Sequence, residues 1–276
     1  MPEAARRPAS STDWPDPVEL LNMTGTSPIV LICEHASRHI PVEYAGLGLG
    51  PADLERHIAW DIGAAALTRR LSALLDAPAF LATYSRLLID LNRPVDVASS
   101  IPVLSEDTDI PGNHDLPPAE RARRIQRIFT PFHDRIAAYL DQRMSIGQPT
   151  LLLTIHSFTP VYLGKARPWP AGILFDGARV IGERLVQRLE ADGVPDVGTN
   201  EPYRVSKQAD YAIPVHGDQR DIPAILVEIR NNGLGSADDI AAWADRLVRV
   251  IAPETAEIAS GLAPCCDARL TSGGIA

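Results

Sequence analysis

The stretch Ile222–Asn232, IPAILVEIRNN, decides the fold. Ile222 and the run Ala224–Val227 are uniformly apolar, the pattern of a strand buried on both faces rather than the alternation of a half-solvated one. Such a strand has no use for a carboxylate, yet Glu228 follows at once. Arg230, Asn231, Asn232 and Gly233 then close it with groups able to bind, turn or cap. In open α/β sheets the chemistry sits at the carboxyl ends of the strands. Glu228 is therefore either a functional group or the partner of an ion pair with Arg230, and the ends of the other strands must decide.

Working outward, the same uniformly apolar pattern recurs at Pro28–Cys33 (PIVLIC), Thr150–Ile155 (TLLLTI) and, more briefly, Ala171–Phe175, with Ala79–Tyr84 and Leu87–Leu91 also strand-like. Helical spacing places a helix within Ala52–Asp76 (Ile62, Ala65, Ala66, Leu71, Leu74 and Leu75 inward) and another over Pro117–Met144. Pro131 in the latter predicts a kink, or a restart capped by Thr130. Asp176–Glu190 reads as a third helix. A fourth opens at a capping box, Ser236 with Asp239 in the acidic position, and runs through Ile251. Val95–Asp115 is a long Pro/Asp/Ser-bearing loop of the kind that shapes a site. Alternating strands and helices predict a three-layer α/β/α sandwich around a mostly parallel or mixed sheet. Residues 1–26 read as a loose lead-in, with Val18–Leu21 docking as a short turn, and 262–276 as a frayed tail around a single domain over 27–261.

Composition bounds the partners. The chain has 276 residues, 45% hydrophobic and 22% charged, as in ordinary soluble globular proteins. A net charge of −9 argues against nucleic acid or an anionic membrane. No run approaches the ~18 apolar residues of a membrane span. The N-terminus carries no hydrophobic segment with a small-residue cleavage site, so no secretory signal is expected. Cys33, Cys265 and Cys266 form an odd, unpatterned set, which predicts a reducing, cytoplasmic setting without a disulfide framework. No GxGxxG or GxxxxGK[ST] pattern follows a strand, so nucleotide binding has little support.

The strand ends carry the chemistry. Three buried strands finish in Glu34-His35, in His156 and in Glu228, while Asp61 stands at the head of the first helix. Two imidazoles and a carboxylate make a zinc ligand set that leaves a position open for water, and Glu228 is placed to take that water's proton. Each residue also has a structural reading: a satisfied core or loop histidine, a helix N-cap for Asp61, an ion pair for Glu228. Glu34 competes for the carboxylate position, but adjacent residues on an extended segment point to opposite sides, so Glu34 and His35 share one ion only if the loop curls.

The segments ICEHASRHIP, HIAWDIGA, YSRLLIDLNRP, TIHSFTP, NEPY, HG and IPAILVEIRNN, in this order, resemble the N-formylglutamate amidohydrolase (N-formylglutamate deformylase) family, over about Pro28–Ile251. The resemblance implies zinc-dependent amide hydrolysis on a phosphorylase/hydrolase-like α/β/α fold related to zinc carboxypeptidases. It implies His35, Asp61 and His156 as metal ligands and Glu228 as general base. The same order of residues is similar to zinc-dependent N-acetylmuramoyl-L-alanine amidases, so a muramoyl-peptide amide is an alternative substrate, and an inactive binding module an alternative class. The carry-over is loosest at His35, where zinc carboxypeptidases use His-x-x-Glu and this chain has Arg38.

N-formylglutamate carries two carboxylates, and arginine grips a carboxylate in a bidentate way. Arg86, Arg93 and Arg230 each stand beside a strand end. Arg86 is a candidate to stabilise the oxyanion and Arg93 and Arg230 to bind substrate, with pairing to Asp90 or Asp96 as the structural alternative for Arg86 and Arg93. Asn92, Asn231 and Ser37 are further substrate-binding candidates. His216 is a candidate proton donor against a solvent-exposed alternative, and Tyr203 a weaker one.

Overall fold

The central strand is Leu151–Phe158, eight residues that are all buried, and the fold is best followed from there. In this computed structural model, which describes residues 13–260, a seven-stranded sheet is formed by β1 Val18–Leu21, β2 Ile29–Cys33, β3 Ala79–Ala82, β4 Leu151–Phe158, β5 Ala171–Leu174, β6 Gly198–Thr199 and β7 Ala224–Arg230. Their order is β1-β3-β2-β4-β7-β5-β6. The β3-β2-β4-β7 core is parallel, while β1 joins β3, and β5 joins β7, antiparallel. The sheet is thus mixed, as its uniformly apolar strands predict.

Side chains alternate across it. Ile29, Leu31, Leu153, Ile155, Val227 and Ile229 pack under α1 Ala64–Leu75, a later helix Arg179–Ala191 and the last helix Ala237–Ala259. Val30, Ile32, Leu152, Ala224 and Leu226 pack on the other face, against the long helical passage 118–145. That passage is α2; Arg179–Ala191 is α3 and Ala237–Ala259 is α4. The result is a helix–sheet–helix sandwich. Among the described residues no helix is long and apolar enough to cross a membrane.

Several local expectations change. Val18–Leu21 is the antiparallel edge strand, with Val18 level with Ala82, so residues 13–26 are built into the fold. Residues 1–12, the 262–276 tail, Cys265 and Cys266 lie outside the described residues; Cys33 is a buried free thiol. Leu87–Leu91 is not a strand: because β1 already closes the β3 edge, these buried residues fill the α2-side core from turns. A short apolar run alone does not distinguish the two cases. Pro131 neither breaks nor restarts α2; a π-helical turn at Ile125–Phe129 precedes it and the helix runs on. The first helical region splits into a turn at Pro51–Leu54 and α1, with Gly63 at the α1 N-cap in the left-handed region (φ 83°). The capping box opening α4 is as expected, Ser236 accepting from the Asp239 backbone N–H and Asp239 from that of Ser236.

One glycine positions the site. Gly172 on β5 stands level with Glu228 on β7, and a Cβ there would run into the carbonyl oxygen of Glu201. The missing side chain lets the 201–203 segment lie against the sheet beside Glu228. Gly172→Ala should therefore cost about 1–3 kcal/mol as the segment is forced away. Chemical denaturation checks this; an unchanged midpoint would show that the segment is held independently of that contact.

Candidate active site

The strand ladders set up the site. In the parallel pairing of β4 with β7, His156 stands level with Glu228. In that of β2 with β4, Ile32 stands level with Thr154, and the same offset carried two residues on brings Glu34 beside His156. Both strands run further than the sequence suggests, so His156 and Glu228 lie within the sheet and not just past its strands. His35 follows β2, and Asp61 lies in the loop before α1, where its backbone N–H donates to the His35 carbonyl at 2.9 Å. Asp61 is not a helix cap. Its Oδ2 instead accepts from the Ser157 backbone N–H at 3.2 Å.

His35, Asp61 and His156 are all buried, and one ligand atom from each lies within 4.8 Å of the others. His35 Nε2 lies 2.8 Å from Asp90 Oδ1 and its Nδ1 3.4 Å from Asp61 Oδ2. His156 Nε2 lies 3.0 Å from Glu34 Oε2 and its Nδ1 2.9 Å from Asp61 Oδ2. Each imidazole therefore has a carboxylate behind its Nε2 and turns its Nδ1 to a common centre at Asp61. This is the arrangement in which outer carboxylates fix the tautomer and orientation of metal-binding histidines. It separates the two acids: Asp61 faces the centre, while Glu34 stands behind His156.

The residues fit a divalent cation by a second observation. His35 Nδ1, Asp61 Oδ1, His57 Nδ1 and Glu228 Oε2 are buried side-chain atoms that find no hydrogen-bond partner among the described residues. Unsatisfied buried polar groups cost about 1–3 kcal/mol each, so their concentration around one point marks a site built for a ligand. Two nitrogens and one oxygen is a donor set suited to zinc with an open position.

The electrostatics agree. Burial works to raise Asp61, but the imidazoles of His35 and His156 outweigh it and hold the carboxyl well below its usual range. Burial likewise works to lower His156, and Glu34 and Asp61 outweigh it, so the imidazole is raised well above its ordinary value. Asp90 is kept ionised by Arg86 and His35 against the same penalty. Glu228 is pushed up to about 7, by burial first and by Asp61 second. Burial lowers His57 to about 4, which leaves it neutral at physiological pH.

These groups open into a cavity of about 470 Å³ that also touches Arg86, Asn92, Arg93, Arg167 and Tyr203. Arg86 donates to Asp90 Oδ2 from Nε and Nη2 (3.1 and 2.7 Å) and stands 3.5 Å from Asp61 Oδ1. It reaches the cavity as a clamp on carboxylates. Arg93 donates to the Ala209 carbonyl and lies 3.4 Å from Asp210, not from Asp90 or Asp96. Asn92 accepts from the backbone N–H groups of Tyr211 and Ala212. Both residues tie the 206–212 loop to the cavity wall.

Four of the sequence candidates do not line this cavity. His216 is buried, neither exposed nor at the centre; its Nε2 lies 2.9 Å from His133 Nδ1. Arg230 donates to the carbonyls of Arg167 and Pro168 and to Asn232, and forms no pair with Glu228. Asn231 begins a turn closed by the Leu234 N–H, and Ser37 accepts from the His39 N–H. Conversely, Tyr203 is nearer the centre than its sequence suggests, its hydroxyl donating to Glu228 Oε1. His57 and Arg167 were not singled out at all. His57 stands four residues before Asp61, with Nδ1 3.6 Å from Asp61 Oδ1, a spacing that was available as a signal. Arg167 had none, being one cation in a proline-rich loop.

Comparison with known proteins bears on the same span. The family model described as N-formylglutamate amidohydrolase matches residues 27–234, from the start of β2 past the end of β7. A gene product of Agrobacterium tumefaciens, known from its crystal structure, is 34% identical, with a TM-score of 0.84 over 90% of this chain and 99% of its own. The N-formylglutamate amidohydrolase of Ralstonia eutropha is 17% identical and shares the fold, with a TM-score of 0.68 over 89% of this chain and 99% of its own. No curated protein matches the sequence. The chain belongs to the N-formylglutamate amidohydrolase family and is an enzyme that hydrolyses amide bonds.

Proposed function

We propose that this chain is a cytoplasmic, zinc-dependent hydrolase that cleaves N-formyl-L-glutamate to formate and L-glutamate. The observation that carries the reading is the convergence of His35 Nδ1, His156 Nδ1 and Asp61 Oδ2, each imidazole backed by a carboxylate, with Glu228 level with His156. The family description and a cavity of about 470 Å³, sized for a small ligand, support the substrate class. His35, Asp61 and His156 would hold the metal, which when bound polarises the acyl oxygen and acidifies the attacking water. Glu228 then takes the proton of that water and delivers it to the departing amine. Tyr203 occupies Glu228 Oε1, which leaves Oε2 as the oxygen that moves the proton. Its hydroxyl is held far above its normal pKa, by burial first and then by Glu228, and stays a donor throughout. Neutral His57 lines the cavity beside Asp61 and would donate to the acyl oxygen.

The substrate reading is tested by turnover. N-formylglutamate should be cleaved far faster than N-formylleucine, because a site built for a carboxylate loses its partner with the apolar analogue. Equal kcat/KM for the two would remove glutamate as the intended product.

The metal assignment has its own test in zinc content after dialysis. His156→Ala and Asp61→Ala should lose the metal while remaining folded. Glu34→Gln should retain it with affinity lowered about 10–100-fold, as for other residues that orient a ligand. Loss of zinc on Glu34→Gln with retention on Asp61→Ala would reverse the two acids.

Glu228→Gln keeps the shape but cannot accept a proton, so kcat should fall by about 10²–10⁴ at unchanged zinc stoichiometry. The pH profile follows from the same group. The base is active as the carboxylate, which is lost as pH falls through a value that burial sets near 7 and that a bound cation draws lower. In the wild type kcat/KM should therefore decline about tenfold per unit on the acid side, starting no higher than about pH 7. A replete, folded Glu228→Gln variant with near-normal kcat would end this mechanism.

A further inference from the structure

The cations lining the cavity differ in what they are already doing. Arg86 is held by Asp90 and Asp61, and Arg93 by Asp210 and the Ala209 carbonyl. Arg167 has no comparable commitment. Among the described residues its side chain makes no hydrogen bond and no ion pair; it rests against the rings of Tyr162, 4.5 Å from the centroid, and Phe158, at 5.9 Å. Both aromatic residues line the cavity with it. Aromatic faces hold a guanidinium by its plane and leave its edge, a planar fork of N–H donors, free for another group.

The backbone of Arg167 is fixed on both sides. Its N–H donates to the Pro160 carbonyl at 2.8 Å, closing the hairpin Val161–Tyr162/Lys165–Ala166 at its base. Its own carbonyl accepts from Arg230 Nη1 at 3.2 Å, which also reaches the Pro168 carbonyl at 2.8 Å. Arg230 is steadied in turn by Asn232, 3.0 Å from its Nε. A cation that is partly buried, lacks an anionic partner and sits on a braced backbone is arranged for an anion that arrives. The position is also close to the chemistry, since Arg167 lines the same cavity as Asp61, His156 and Glu228.

We propose that Arg167 is the residue that recognises a carboxylate of the acyl amino acid, and that Arg230 is a positioning residue that acts through the Arg167 backbone. The inference rests on reading this cavity as the site of a small N-acyl amino acid. A bidentate guanidinium–carboxylate pair is the specific geometry the exposed edge offers. The two-carboxylate grip expected of Arg86, Arg93 and Arg230 is thereby replaced: Arg86 holds the residues around the metal centre, Arg93 holds a loop, and Arg230 holds Arg167.

Binding and turnover measured together test this. Glutarate, a dicarboxylate without an amide, serves as the probe by titration calorimetry on zinc-loaded and metal-free wild type, Arg167→Met, Arg167→Lys and Arg230→Met. Wild type should bind glutarate, Arg167→Met should weaken it at least about tenfold, and Arg167→Lys should fall between. For N-formylglutamate, Arg167→Met should raise KM by a similar factor with kcat nearly kept. Arg230→Met should raise KM less, with nothing further added in the Arg167→Met background, whereas additive effects in the double variant would remove its positioning role. Glutarate affinity unchanged in Arg167→Met, or no binding by wild type, overturns the inference even where N-formylglutamate is cleaved. Glutarate binding that depends on Arg167 in a protein that does not cleave N-formylglutamate upholds it and removes the proposed substrate instead.

Discussion

The ladder between β4 and β7 places Glu228 level with His156, and the offset between β2 and β4 brings Glu34 to the other side of the same imidazole. A carboxylate, an imidazole and a second carboxylate thus form a row across three adjacent parallel strands, with Glu34 just past the end of β2 and His156 and Glu228 within β4 and β7. Gly172 ends that row on β5, where the absence of a side chain admits the 201–203 segment and hence Tyr203. Backbone hydrogen bonds of a parallel sheet fix such a row rigidly, since a one-residue slip would turn every member to the opposite face. The two cores above and below the sheet hold that register. The site is therefore specified mainly by the packing of Val, Ile and Leu residues that never touch it.

A row of buried acids must be compensated, and the compensation differs from one acid to the next. Arg86 offsets Asp61 and Asp90, His156 offsets Glu34 and Asp61, and Tyr203 donates to Glu228. Glu228 is pushed up into the neutral range, to about 7, by burial first and by Asp61. Two kinds of carboxylate result from one environment: Asp61 and Asp90 held well below the usual range, and Glu228 raised above it. Environments that push neighbouring carboxyl groups apart are how acid–base roles become separated.

The strands were legible because burial on both faces leaves an unbroken apolar run, and a carboxylate or imidazole interrupting such a run is conspicuous. Glu228, His156 and the Glu34-His35 pair all stand out for that reason. Asp61 was legible as a participant, though its place was not: Gly63, whose left-handed backbone brings it against Leu234, starts α1 later than the apolar spacing suggests. The choice between Glu34 and Asp61 needed the third dimension, because it turns on which nitrogen of His156 each acid meets. The arginines were the least legible. Arg93 meets Asp210 across 117 positions of sequence, and Arg230 meets the Arg167 carbonyl across 63. Long flexible side chains choose partners by tertiary proximity, so standing beside a strand end says little about what an arginine holds. Leu87–Leu91 failed for another reason, as burial without a free sheet edge yields turns.

The same charges bear on how a cation would enter. Metal binding needs the bare lone pair of each imidazole, yet Glu34 and Asp61 together favour the protonated form of His156. Loading a cation would displace the proton without asking the strands to move, since Nδ1 of both histidines already faces Asp61 Oδ2. The frame that holds those atoms is the β2-β4-β7 ladder and its two apolar cores. Because Glu34 and Asp61 favour the imidazolium of His156, a proton there competes with the cation for Nδ1.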